Sequence, residues 1–126
     1  MKTKIVFAVL LTGIMFAGSC KKDDGNGGKK KIFGTVRFND GVSAADDIAP
    51  GATVFISYGS KVATGTIDQT VTCDARGEYT IKGLKKGDYF VSGEYITSHG
   101  FKYTTKGYGV TLESTKNELE LNIRMQ

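Results

Sequence analysis

Apolar and polar side chains alternate with a period of two along most of the chain beyond residue 31, and apolar residues nowhere recur at helical spacing for more than a few positions. Ile32, Gly34, Val36 and Phe38 alternate with Phe33, Thr35 and Arg37, and Val54, Ile56 and Tyr58 alternate with Phe55 and Ser57. Residues 62–73 predict one long bent strand or two short ones, and residues 78–81 another. Tyr89, Val91 and Tyr95 line the inner face of the next strand, and Phe101 and Tyr103 open the strand after Gly100. At the end of the chain Leu119, Leu121, Ile123 and Met125 point one way while Glu118, Glu120, Asn122 and Arg124 point the other, as one buried and one wet face require. The inward parity changes from odd at Tyr103 to even at Tyr108, Val110 and Leu112, so residues 104–107 must hold a bulge or turn. About seven short strands separated by glycine- and asparagine-containing turns predict an all-β domain, a sandwich of two antiparallel sheets.

The turns have their own chemistry. Asp74-Ala75-Arg76-Gly77 suits a type I turn closed by a left-handed glycine, bringing residues 71–73 against residues 78–81. Gly83-Leu84 turns the chain and places Leu84 as a plug at the end of the sandwich, and Gly87 returns it into the next strand. Gly34 and Gly51 are further turn glycines, and Pro50 sits beside Gly51 in a loop where it interrupts no ladder.

Residues 1–31 break the alternation. Two lysines in the first four residues, a nearly continuous apolar run over 5–16 and the small residues Ala17-Gly18-Ser19 form a secretory leader. The run is shorter than the roughly 20 residues a membrane-spanning helix needs. Ala17-Gly18-Ser19-Cys20 resembles the lipobox of bacterial lipoproteins, with Ala17 where that family usually has Leu. The resemblance implies diacylation of Cys20 and cleavage before it; ordinary cleavage would leave Cys20 a thiol. Each buried acyl CH₂ contributes about 0.8 kcal/mol, so two or three chains would hold the protein on a membrane. Lys21-Lys22-Asp23-Asp24 resembles the export signal of Bacteroidota lipoproteins, which implies an outer-membrane lipoprotein exposed at the cell surface, with a periplasm-facing one as the alternative. The expected organisation is a signal peptide over 1–19, a lipidated flexible tether over 20–30 containing Gly25-Asn26-Gly27-Gly28, and one domain over 31–126. Lys29-Lys30-Lys31 reads as a solvated strand start.

Loss of the leader removes two of the 17 basic residues and none of the 13 acidic ones, leaving 15 against 13. This near balance and the secretory leader argue against a nucleic-acid partner. Acylation of Cys20 would leave Cys73 without a disulfide partner, and Cys73 shares parity with Val71, so it is expected as a small buried side chain. His99, the single histidine, lies in a Ser-His-Gly turn with no acid or cysteine at ligand spacing, so neither a catalytic set nor a metal or cofactor site is expected. Residues 39–50, with Asp46 and Asp47, offer oxygen ligands without a spaced calcium motif and are expected as a solvated loop.

Ile32-Phe33-Gly34-Thr35-Val36, Gly51-Ala52-Thr53-Val54, residues 72–84 with Asp74, Gly77, Gly83 and Leu84, and Lys86-Gly87-Asp88-Tyr89-Phe90-Val91 resemble the carboxypeptidase regulatory-like domain. The resemblance covers residues 32–95 and implies a transthyretin-like (prealbumin-like) Greek-key sandwich, related in architecture to starch-binding and collagen-adhesin B-type modules. The 5-hydroxyisourate hydrolases share that architecture but end in Tyr-Arg-Gly-Ser, and this chain ends Asn122-Ile123-Arg124-Met125-Gln126. A lysine–asparagine isopeptide bond of the collagen-adhesin type would draw on Lys31, Asn122 and Glu94, but parity turns Lys31 and Asn122 to water. The chain is therefore expected to be a non-enzymatic, lipid-anchored envelope module. Its expected partners are the membrane and envelope proteins or glycans. A carbohydrate-binding module is the alternative, with Phe90, His99 and Tyr103 as candidate contacts.

Overall fold

A computed structural model describes residues 25–42 and 44–126. The described chain forms ten strands and no helix: β1 (Asn26–Phe38), β2 (Asp47–Ile48), β3 (Thr53–Tyr58), β4 (Gln69–Thr72), β5 (Glu78–Leu84), β6 (Gly87–Ile96), β7 (Lys102–Thr104), β8 (Tyr108–Leu112), β9 (Glu118–Glu120) and β10 (Ile123–Met125). The first sheet is built on β1, with β5 and β2 on one side and β9 and β10 on the other. The second sheet runs β4-β3-β6, with β8 and β7 along the outer side of β6. Both sheets are antiparallel except that β9 and β10 run parallel to β1. β7 with β8, and β9 with β10, are each one interrupted strand, so seven long strands plus the two-residue β2 make the sandwich.

The alternation dictates the core. Ile32, Val36, Val54, Ile56, Ile81, Leu84, Val91 and Met125 are sealed from solvent between the sheets. Gly93 of β6 carries no side chain because Met125 fills its place: a Cβ there would lie 2.8 Å from the Met125 Cε. Cys73 is buried, as its parity requires, and burial pushes its thiol up to about 11. The change of parity after Tyr103 is a one-residue bulge: β6 pairs Glu94 with Thr104 and Val91 with Tyr108, so four steps on one strand oppose three on the other.

Several expectations change. Residues 26–30 are not a tether but the start of β1, with Asn26 and Lys30 both paired to Leu84. The glycines here serve close approach: a Cβ on Gly28 would stand 2.1 Å from the Leu84 carbonyl oxygen. The fully buried Tyr89 fixes this start, its hydroxyl accepting from Gly25 N at 2.8 Å and donating to Lys85 O at 2.6 Å.

Gly34 is mid-strand rather than a turn. The Leu121 carbonyl oxygen sits 2.0 Å from where its Cβ would be, and the ladder between β1 and the last strand breaks there. Side chains satisfy the freed groups: Tyr79 OH donates to Leu121 O at 2.6 Å and Asn122 Oδ1 accepts from Thr35 N at 3.0 Å.

Of residues 62–73 only β4 is strand. The Ser60 and Thr64 hydroxyls accept from Val62 N and Thr66 N, local bonds that compete with a ladder, and residues 61–68 stay exposed. The 74–77 turn forms as expected: Gly77 has φ +74°, its N–H donates to Asp74 O at 3.0 Å, and Asp74 Oδ1 accepts from Arg76 N and Glu78 N. It links strands of different sheets, however, because β4 pairs with β3 and β5 with β1. Gly51 (φ +75°) sits in a turn, while Gly83 (φ +72°) bends β5 from within beside the sealed Leu84, and Gly87 opens β6.

Candidate functional site

The residues singled out from sequence do not converge. Phe90 points away from the core on β6 and lies over Gly107, where a Cβ would stand 2.2 Å from its ring. Tyr103 packs inward, its ring 5.0 Å from that of Phe38, which also meets Tyr95 at 4.9 Å. His99 is exposed in the β6–β7 turn. Cys20, Lys21, Lys22, Asp23 and Asp24 lie outside the described residues. Lys31 pairs with Glu118 at 3.7 Å and Glu94 with Lys102 at 3.4 Å, so the three isopeptide candidates are spent separately. Among the described residues no three of His, Cys, Asp and Glu come together to hold a metal ion.

What the fold does assemble is a cleft of about 610 Å³ at the β7–β8 bulge, lined by Thr104, Thr105, Lys106, Gly107, Tyr108, Arg124 and Gln126. The extra residue at the bulge carries the chain off the ladder, and Gly107 accommodates it at φ +100°. β10 closes the other side, with Gln126 N donating to Thr104 O at 3.2 Å and Arg124 N donating to Tyr108 OH at 3.1 Å. The Arg124 guanidinium is held by Asp46, Nε to Oδ2 at 2.7 Å, and Asn39 Nδ2 donates to Asp46 Oδ1 at 2.9 Å. The hydrogen bonds from Arg124 and Asn39 lower the Asp46 carboxyl from its ordinary value. Asp46, read from sequence as a loop acid, is thus the residue that positions Arg124.

The lining offers two threonine hydroxyls, a lysine ammonium, a glutamine amide and a tyrosine. These groups donate and accept hydrogen bonds and attract anions, but they contain no base set beside a nucleophile, so the arrangement suits binding rather than bond making. Sequence reading missed the cleft; its one signal was the parity change between Tyr103 and Tyr108.

The position of the cleft follows from strand direction. β1 starts beside Lys85 and Tyr89, and from Lys30, past its irregular start, eight residue steps carry it roughly 26 Å to Phe38. At the starting end lie the β3–β4, β5–β6 and β8–β9 connections. At the other end lie the segments after β1, the 74–77 turn, the β6–β7 turn and the C-terminus. The cleft opens toward this second end. The same end carries exposed apolar side chains, Val42 at 89%, Phe101 at 66% and Ile96 at 57% of full exposure.

Two solved structures share the architecture. The major pilin subunit of Bacillus cereus matches with a TM-score of 0.54 and 18% identity over 79% of this chain, which spans 30% of that protein. A candidate carbohydrate binding protein from Pseudomonas aeruginosa matches with a TM-score of 0.52 and 16% identity, over 80% of this chain and 91% of that one. At these identities the likeness is one of fold. No protein-family model matches the chain, and no curated protein matches it in sequence.

Proposed function

We propose that the protein is a non-enzymatic, lipid-anchored β-sandwich of the bacterial envelope that presents the β7–β8 cleft and its neighbouring loops to a partner. The observation that carries this reading is the polarity of the domain. The chain arrives from Cys20 at one end, and the cleft lies toward the other. The leader, the lipobox-like Ala17-Gly18-Ser19-Cys20 and Lys21-Lys22-Asp23-Asp24 support attachment to the outer membrane with exposure at the cell surface. The segments over 32–95 that resemble carboxypeptidase regulatory-like domains support an accessory module. Three side chains able to do chemistry are committed to the fold: Cys73 is buried with a raised thiol, Asp74 caps a turn and Asp46 holds Arg124.

A second reading, glycan binding, is favoured by the composition of the cleft. Hydroxyl, amide and ammonium donors around a tyrosine match the hydroxyl-rich surface of a sugar, and the Pseudomonas aeruginosa neighbour is a candidate carbohydrate binding protein. A glycan array probed with the mature chain carrying Cys20→Ala separates the readings. Binding that is lost in Lys106→Ala and Gln126→Ala supports the glycan reading. Silence across the array removes it and leaves a protein partner. Membrane fractionation of the full chain carrying Cys20→Ala, after a high-salt wash that strips electrostatic binding, tests the anchor, which is refuted if the variant stays in the membrane as fully as the parent.

A further inference from the structure

We propose that the end of the sandwich at which the chain enters seats directly on a bilayer, with its lysines against anionic lipid headgroup phosphates. The inference rests on the anchored reading for its geometry and adds the partner of a second surface.

The charges of the described residues are divided unevenly between the two ends. β1 brings Lys29, Lys30 and Lys31 to the entering end, and the end of β5 with its turn brings Lys82, Lys85 and Lys86. The β3–β4 and β8–β9 connections add Lys61 and Lys116. The acids at this end are Asp68, Asp88, Glu113 and Glu118, so eight basic residues meet four acidic ones. Elsewhere the described residues hold five basic ones, Arg37, Arg76, Lys102, Lys106 and Arg124, against seven acidic. A nearly neutral molecule is therefore polarised along its length, positive where the chain enters. The sequence alone hides this, because the lysines come from four separate stretches.

The basic end is also built. Lys30 Nζ donates to Lys116 O at 2.6 Å and Ser114 O at 3.3 Å, which holds the β8–β9 loop and its lysine beside β1. Lys85 packs against Gly27, whose Cβ would lie 3.3 Å from the Lys85 Cε. The Tyr89 hydroxyl then fixes Gly25 to the same end. Since β1 already begins at Asn26, only five residue steps separate Cys20 from Gly25, a reach of at most about 18 Å. Acyl chains on Cys20 would thus bring this end close to the headgroups, near enough for lysines to act within a Debye length or two. A long flexible spacer would have removed that constraint.

The test uses the mature chain with Cys20→Ser, so that no acyl group contributes, in co-sedimentation with vesicles of phosphatidylglycerol and phosphatidylcholine. The protein is expected to bind these vesicles, to ignore pure phosphatidylcholine and to be released by high salt. Lys29→Glu/Lys82→Glu/Lys86→Glu should weaken binding by roughly tenfold or more. Arg76→Glu/Lys102→Glu, charge reversals away from this end and outside the cleft, should leave it unchanged, and melting curves confirm that each variant folds. The inference is overturned if the parent ignores anionic vesicles or if both variants weaken binding equally. It is also overturned if inorganic phosphate at constant ionic strength displaces the protein, which would mark a small-anion site. Vesicle binding without acylation of Cys20 in the native protein would refute the anchor alone; acylation without vesicle binding would refute this inference alone.

Discussion

Gly34→Ala should be among the most damaging single substitutions in the first sheet, although it adds one methyl group. The new Cβ would stand 2.0 Å from the Leu121 carbonyl oxygen and 2.6 Å from its carbon, so β1 and the terminal strand must part by roughly 1 Å. That displacement breaks three bonds: Leu121 N to Phe33 O at 2.7 Å, Thr35 N to Asn122 Oδ1 at 3.0 Å, and Tyr79 OH to Leu121 O at 2.6 Å. Each is worth about 1 kcal/mol net, and a Tyr79 hydroxyl left buried without a partner costs a further 1 to 3 kcal/mol. Alanine recovers about 0.4 to 1 kcal/mol by restricting the unfolded chain. The net loss is about 3 to 6 kcal/mol, a large share of a small domain's margin. Urea unfolding with unchanged slope measures it. Tyr79→Phe alone should cost about 1 kcal/mol, and in the double variant the losses should fall short of additive by about 2 to 4 kcal/mol, because Gly34→Ala has already broken the tyrosine's bond and phenylalanine leaves no buried hydroxyl without a partner. A loss below 1 kcal/mol for Gly34→Ala, or full additivity with Tyr79→Phe, would refute the reasoning.

Gly77→Ala should cost about 2 kcal/mol, because alanine is strained at φ +74° and its Cβ would lie 2.8 Å from Val36 O; a thermal melt within 2 °C of the parent would contradict this. Stability should fall as pH is lowered below about 4: backbone N–H groups of Glu78 and Arg76 lower the Asp74 carboxyl, and Arg124 with Asn39 lowers Asp46. A folded-state value below the unfolded one stabilises above the unfolded value and is lost as pH falls through the folded one, so Asp74→Asn should flatten the acid limb of a melting-temperature profile. Cys73, buried with its thiol raised to about 11, should resist maleimide at neutral pH until urea unfolds the domain; fast labelling of the native protein would place it at the surface.

Fold class was legible because alternation is a local signal. The buried strand positions from Ile32 to Met125 declare their face through their neighbours, and even the bulge between Tyr103 and Tyr108 was visible as a slip of parity, whereas Ala49, fully buried, lies in the 39–50 stretch expected as a solvated loop. What stayed hidden depends on which strands meet. Glycine over 25–28 looks the same in a tether as in a strand that must approach Leu84, and only the register with β5 decides. Gly34 was placed among the turn glycines because its true partner, the Leu121 carbonyl, lies 87 residues away. Val62 and Ile67 looked like strand residues, yet the hydroxyls of Ser60 and Thr64 hold the backbone in local turns. The cleft was invisible for the same reason: Thr104 to Tyr108 and Arg124 to Gln126 meet only once β10 lies beside the bulge. Aromatic content pointed instead to Phe90 and Tyr103, one covering Gly107 and the other packed on Phe38.

Attachment at one end, on which presentation at the other depends, is tested most directly by the intact mass of the protein purified from the membrane of its native cell. The predicted result is a chain beginning at Cys20 and carrying a diacylglyceryl group on sulfur, with or without a further acyl chain on its amine. A mass matching an unmodified chain, recovered from the soluble fraction, would contradict it.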